Sequence, residues 1–139
     1  MKYLMVTAVI LLCAACDDDP SGTQVISDGS WFGSHDAGTV ITFNVSNNTI
    51  EDLESSVDFD LEAAPDTVFS WKFDADITDY EFHYVEVSSA GNWEFGLDMS
   101  GTFDSSNHVA GDLIVSVVYA DQGVTETDTI ETTWNAMTL

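Results

Sequence analysis

Trp93-Glu94-Phe95-Gly96-Leu97-Asp98-Met99-Ser100-Gly101 places four large apolar side chains on alternate residues, with carboxylates, a glycine and a serine between them. A period of two is the repeat of a strand with one buried face, because successive side chains point to opposite sides of a sheet. The same period runs outward in both directions. Ile41, Phe43 and Val45 alternate with Thr42 and Asn44; Val57, Phe59 and Leu61 with Asp58 and Asp60; Phe69, Trp71 and Phe73 with Ser70, Lys72 and Asp74. The last of these puts Lys72 on a polar face. Ser46-Asn47-Asn48-Thr49 supplies the chemistry of a chain reversal.

Other segments read less cleanly. Residues 81–88 (EFHYVEVS) are strand-like without declaring which face is buried, and Leu113 to Ala120 is almost continuously apolar, as in a strand buried on both faces or central in a sheet. A threonine-rich strand from Val124 to Met137 carries Ile130, Trp134 and Ala136. Only Asp52 to Ser56 suggests a helical turn, since Leu53 follows Ile50 by three. Seven or eight short strands, two prolines and no helix-length amphipathic run argue for an all-β antiparallel β-sandwich, with a small β-barrel as the alternative. Four tryptophans and eight phenylalanines are enough to fill such a core at ~150–250 Å² buried apiece.

Upstream of the strands the chain opens MKYLMVTAVILLCAAC, followed by Asp17-Asp18-Asp19. One lysine, an apolar run from Tyr3 to Leu12, small residues and a cysteine make a secretory signal of the bacterial lipoprotein kind, with residues 1–15 removed and Cys16 lipidated. The apolar run is too short for a permanent membrane span, which takes ~20 residues. Cys13 and Cys16 have the C-x-x-C spacing of a redox pair, yet three carboxylates follow directly, and these oppose the depressed thiol pKa that such a pair needs. A signal peptide cut without lipidation is the remaining alternative. Residues 16–28 then read as an acidic tether and 29–139 as one domain. The expected address is the bacterial envelope: outer membrane, cell surface or periplasm.

All 25 acidic residues follow Cys16 and Lys72 is the one base there, so one positive charge against 25 negative leaves −24. Nucleic-acid binding and a basic membrane patch are excluded, because a single lysine cannot build either. The only membrane contact expected is the lipid. Cys16 is also the only thiol of the processed chain, which excludes an internal disulfide. The acidity fits either a coat suited to a salty habitat or carboxylates that take divalent cations. Asp74, Asp76 and Asp79, in the densest acidic loop between strands, are the candidate Ca²⁺ ligands, although the loop lacks the glycine and closing glutamate of an EF-hand.

Further landmarks are Gly29-x-Trp31-x-Gly33, Ile41 to Val45, Gly101-Thr102-Phe103, Val109 to Leu113 and Trp134-Asn135-Ala136. Their order resembles a loosely defined group of small bacterial extracellular β-sandwich modules, secreted or lipid-anchored, over about Gly29 to Leu139. That resemblance implies fold and location and no activity. Gly101 and Gly111 suit positive φ or close backbone approach, and Trp31 and Trp134 are expected to plug the two ends of the domain.

Catalytic chemistry has thin support. His35, in a loop after the first strand, His83, and His108, in the Asp104 to His108 turn, are scattered, with no H-x-H spacing for a metal; a serine–histidine–aspartate set can be drawn from them, but no G-x-S-x-G accompanies the serines. Glu94 beside Trp93 is the one acid to nominate for a glycosidase, which needs two facing carboxylates in a cleft. Glu81 and Glu86 read as solvated-face residues. The expected function is a non-enzymatic binding or structural module, meeting a glycan or an envelope protein through exposed aromatics or an open sheet edge. A small extracellular polymer hydrolase is the alternative, and a subunit of a larger surface assembly a third reading.

Overall fold

The computed structural model describes residues 25–139, which form eight strands: β1 (Gly29–His35), β2 (Val40–Ser46), β3 (Thr49–Phe59), β4 (Thr67–Asp76), β5 (Glu81–Ala90), β6 (Trp93–Ser105), β7 (His108–Asp121) and β8 (Val124–Thr138). They make one antiparallel sheet in the order β4-β3-β2-β1-β8-β7-β6-β5. The fold is all-β, as expected. Of the two architectures, the barrel alternative is the one adopted, because the strands share one curled sheet rather than two stacked ones. The reason lies in the connections. Asn47-Asn48, Gly91-Asn92, Ser106-Asn107 and Gln122-Gly123 are two-residue links, so each joins strands that must pair side by side. Asn47 and Asn48 have φ of 51° and 60°, and Gln122 and Gly123 of 45° and 86°, the left-handed pairs that match the twist of a hairpin.

Two four-strand meanders are joined by β1 and β8, from Trp31 opposite Thr138 to His35 opposite Trp134. Alternate residues of the strands fill the interior. Trp31, Ile41, Leu53, Val57, Met99, Leu113 and Val115 are wholly buried. Trp31 and Trp134 do not plug opposite ends. Both pack on Phe43, with ring centres at 5.7 and 6.4 Å, in one aromatic cluster that Phe103 and Phe82 complete. β7 is buried on one face only. Leu113, Val115 and Val117 point inward while Ile114 is exposed, so its continuous apolar run reflects a greasy outer face rather than a two-sided core.

The region read as a helical turn is part of β3. Between Ile50 and Leu53 the ladder to β4 shifts by one residue, and the ladder to β2 shifts at the same level. One extra residue, a β-bulge, therefore sits in β3, and Asp52 takes the left-handed φ of 55°. That extra residue lets Ile50 and Leu53, three apart, both reach the core.

β5 resolves against its valines. Phe82 is buried and Tyr84 half-buried, whereas Val85 and Val87 are 59% and 66% exposed. The chain enters at the end of the barrel that holds the β2–β3 and β6–β7 turns. There the Ser27 amide donates to the Ser106 carbonyl at 2.8 Å, Ile26 is buried, and the Trp31 indole donates to the Ser27 carbonyl at 3.1 Å.

Candidate functional site

The bulge in β3 shapes the outer face of β1–β4. Asp52 is held in its unusual conformation from two sides. Its amide donates to Asp74 Oδ1 at 2.8 Å, and its Oδ1 receives the Lys72 ammonium at 3.0 Å. Beside it runs a groove of about 350 Å³ lined by Ser30, Phe32, Thr42, Asn44, Asp52, Glu54 and Lys72. The same Thr42, Glu54 and Lys72 line an adjoining hollow of about 510 Å³ that continues to Thr39, Ser56, Ser70 and Trp71. Bulges re-aim side chains and bend strands, and they recur beside functional surfaces for that reason.

The lining is rich in hydrogen-bonding groups. Ser30 donates to Asn44 Oδ1 at 2.9 Å and Thr42 to Glu54 Oε1 at 3.3 Å, while Phe32 lies 45% exposed along the wall. Lys72 is the one base after Cys16, and its pKa is raised, first by its hydrogen bond to Asp52, then by the charges of Asp52, Glu54 and Asp74. It stays charged through neutral pH. The groove thus offers hydroxyls, amide, carboxylates, one ammonium and one ring face on a shallow, open surface.

Most residues singled out from the sequence lie elsewhere. Cys16 is outside the described residues. Asp74 and Asp76 are exposed on β4, where Asp74 serves the bulge amide and Asp76 accepts from Thr49 at 3.5 Å; Asp79 sits in the β4–β5 turn with φ of 52°. Among the described residues no three His, Cys, Asp or Glu side chains stand together to hold a metal, so the aspartate loop does not converge. Glu94 points outward, on the opposite side of β6 from Trp93, whose half-buried ring packs on Tyr119 at 4.6 Å. Glu86 lies on the inward row of β5 and accepts from the Tyr84 hydroxyl at 3.1 Å. His83 donates to Asp98 at 2.7 Å and His108 to Asp104 at 2.8 Å, but Ser105 turns its hydroxyl to Asn107 at 2.9 Å, so no serine–histidine–aspartate set forms at that turn.

His35 is buried instead of lying in a loop. Its Nε2–H donates to the Ser56 carbonyl of β3 at 3.2 Å, which leaves Nδ1 as an acceptor. Nδ1 and the neighbouring Trp71 Nε1 have no partner among the described residues, and the two rings stack at 6.4 Å. Burial holds the His35 pKa below its ordinary 6.5, against smaller opposing effects from Ser56 and Asp36. The unfolded chain therefore binds a proton at His35 before the folded one does, and stability falls as pH drops below 6.5. Urea midpoints at fixed ionic strength are expected to decline between pH 7.5 and 5.5 in the wild type and to decline less in His35→Gln, which keeps a donor for Ser56. Equal slopes would remove His35 from the account.

No protein-family description, curated protein or solved structure matches this chain, and the likeness to small extracellular modules rests on its landmark residues alone.

Proposed function

We propose that this protein is a non-enzymatic binding module of a bacterial envelope, tethered through a lipid on Cys16, and that its groove beside the β3 bulge takes a glycan. The observation that carries this reading is the lining of the groove. Sugars are bound by hydroxyl, amide and carboxylate partners around an aromatic face; Ser30, Thr42, Asn44 and Glu54 line the groove together with the exposed Phe32, and Ser56 and Ser70 add hydroxyls in the adjoining hollow. The paired acids have structural employment: Asp52 holds Lys72 and Asp74 holds the bulge amide. The tether joins the barrel at the β6–β7 turn, which leaves the side wall of β1–β4 free above a membrane.

Affinity electrophoresis of the soluble form, begun after Cys16, through gels containing envelope polysaccharides tests the reading. Retardation is expected, and Phe32→Ala should weaken it by about three- to ten-fold, the worth of a ring contact of ~0.5–1.5 kcal/mol. Migration unaffected by every polysaccharide, or retardation indifferent to Phe32→Ala, would overturn it. Reducing ends released by the wild type and not by Glu54→Gln would instead favour the polymer hydrolase. Mass spectrometry of the cellular N-terminus checks the lipid on Cys16.

A further inference from the structure

The ends of the sheet, β4 and β5, have no ladder between them, only the turn bridge from Thr78 to Glu81. Near that turn the two edges are held by rings, Phe73 on Tyr84 at 3.8 Å and 3°. Farther along, contact skips β5. Phe69 of β4 stacks on Phe95 of β6 at 4.6 Å, because β5 brings Glu86 and Ser88 to that level.

The second half of β5 is thus an uncovered edge. Natural edges are guarded by proline, lysine, bulges, short length or an inward-pointing charge; of these β5 carries only the charge, Glu86, which repels an acidic strand and admits a basic one, and it keeps unbroken register with β6 over its ten residues. Its outer face there exposes Val85 and Val87. Charge decides what such an edge can take. A second copy would bring 24 further negative charges, and residues 17–24 bring three aspartates and Pro20, so neither suits it. The surrounding groups are Glu86 in the row of Tyr84, and Glu94 and Asp98 on β6 opposite Ser89 and Val85. Glu86 accepts one hydrogen bond, from Tyr84, and a carboxylate has room for more.

We propose that the edge of β5 from Val85 to Ala90 takes an extended, cationic segment of another protein as an added strand. Apolar residues of that segment cover Val85 and Val87 on the outer face, its lysines or arginines on the alternate face reach Glu86, and Glu94 and Asp98 add to the negative field that draws it in. Backbone pairing supplies the affinity and alternate side chains the selectivity. This surface is separate from the glycan groove and does not depend on it.

The test uses the soluble domain and a synthetic peptide of alternating valine and lysine the length of β5, in physiological salt. Hydrogen exchange of the 85–90 amides is expected to slow about ten-fold. The same peptide N-methylated at alternate backbone nitrogens should lose that protection, and Val87→Lys should weaken binding about ten-fold with an unchanged melting temperature. Equal binding of the methylated peptide, or protection spread over other strands, would mean charge attraction without strand addition and would overturn the proposal; so would concentration-dependent self-association through β5. Val87→Lys should leave polysaccharide retardation intact and Phe32→Ala should leave peptide protection intact, so the two readings fail separately.

Discussion

Gly111→Ala is expected to destabilise the barrel by about 3–5 kcal/mol, one of the largest single-site losses available to it. A Cβ on Gly111 would stand 1.9 Å from the Ser100 carbonyl oxygen and 2.7 Å from Gly101 Cα, both backbone atoms of β6 that no rotamer change can move. The close approach has a purpose. Between the Met99–Leu113 and Thr102–Ala110 pairs the β6–β7 ladder is interrupted, and the Ser100 carbonyl there accepts the Trp134 indole at 2.8 Å. Gly101 makes room for that ring, since a Cβ there would lie 2.7 Å from Trp134 Cζ2 and 2.6 Å from Phe82 Cε1. An alanine at 111 therefore pushes β7 off β6 and strains the bond that anchors Trp134. Gly96→Ala is the control. Its Cβ would crowd only Ser116 Oγ, at 2.4 Å, a hydroxyl that can rotate away, with Ser116 Cβ at an ordinary 3.8 Å, and a cost of about 1 kcal/mol or less is expected. Urea unfolding of the two variants beside the wild type measures the difference, which should also appear as a melting point lower by about ten degrees or more for Gly111→Ala. Equal losses would mean that the glycines matter through chain entropy and not through space.

Those two glycines show what a sequence can and cannot disclose. Close backbone approach at Gly101 and Gly111 is readable as one of two uses of glycine; which strand approaches is not, because register is a tertiary property. The alternation of Trp93 to Met99 and of Phe69 to Phe73 identifies strands and their buried faces directly. Where alternation fails, the cause is local. Ile50 and Leu53 have helical spacing only because Asp52 is an inserted bulge residue, and Asp at positive φ leaves no mark in composition. The sequence places Val85 and Val87 in a strand but not on its wet side, since Phe82 and Tyr84 compete for the same core and win by ring area. Barrel and sandwich share strand count and alternation, so the choice rests on hairpin lengths. The groove was half legible. Lys72 on a polar face was readable, but its gathering with Phe32 and Glu54 requires the β1–β4 neighbourhood. Of the histidines, His35 looked like a loop residue because the Asp36-Ala37-Gly38 turn follows it, while the Ser56 carbonyl it satisfies lies 21 residues away.

The acidic coat should make thermal stability depend strongly on salt. With one base after Cys16 against 25 acids, carboxylates here find few cations, and several turn to backbone donors. Glu126 accepts from the Glu62 and Ala63 amides at 2.7 and 2.8 Å, tying the β3–β4 loop to β8, and Asp28 accepts from the Asn47 amide at 3.2 Å. Such bonds use one carboxylate at a time and leave the mutual repulsion of the rest in place. The unfolded chain relieves that repulsion by spreading its charges, so folding is opposed by an amount that screening reduces. Raising sodium chloride from 0.01 to 1 M shortens the screening length from about 30 to about 3 Å, below the spacing of most surface carboxylates, and the melting temperature is expected to rise by several degrees. Acid is a poorer remedy. Protonating carboxylates removes repulsion but also removes the charge that strengthens their bonds to backbone amides, and His35 adds a loss of its own below 6.5. Calorimetry at pH 7.5 across sodium chloride, and across calcium and magnesium chloride at matched ionic strength, separates screening from binding. Since no carboxylate cluster among the described residues is built for an ion, calcium and magnesium should behave alike. A flat response to sodium chloride would refute the repulsion account, and stabilisation by millimolar calcium that magnesium fails to reproduce would reinstate a calcium site, with Asp74, Asp76 and Asp79 the first residues to replace by asparagine.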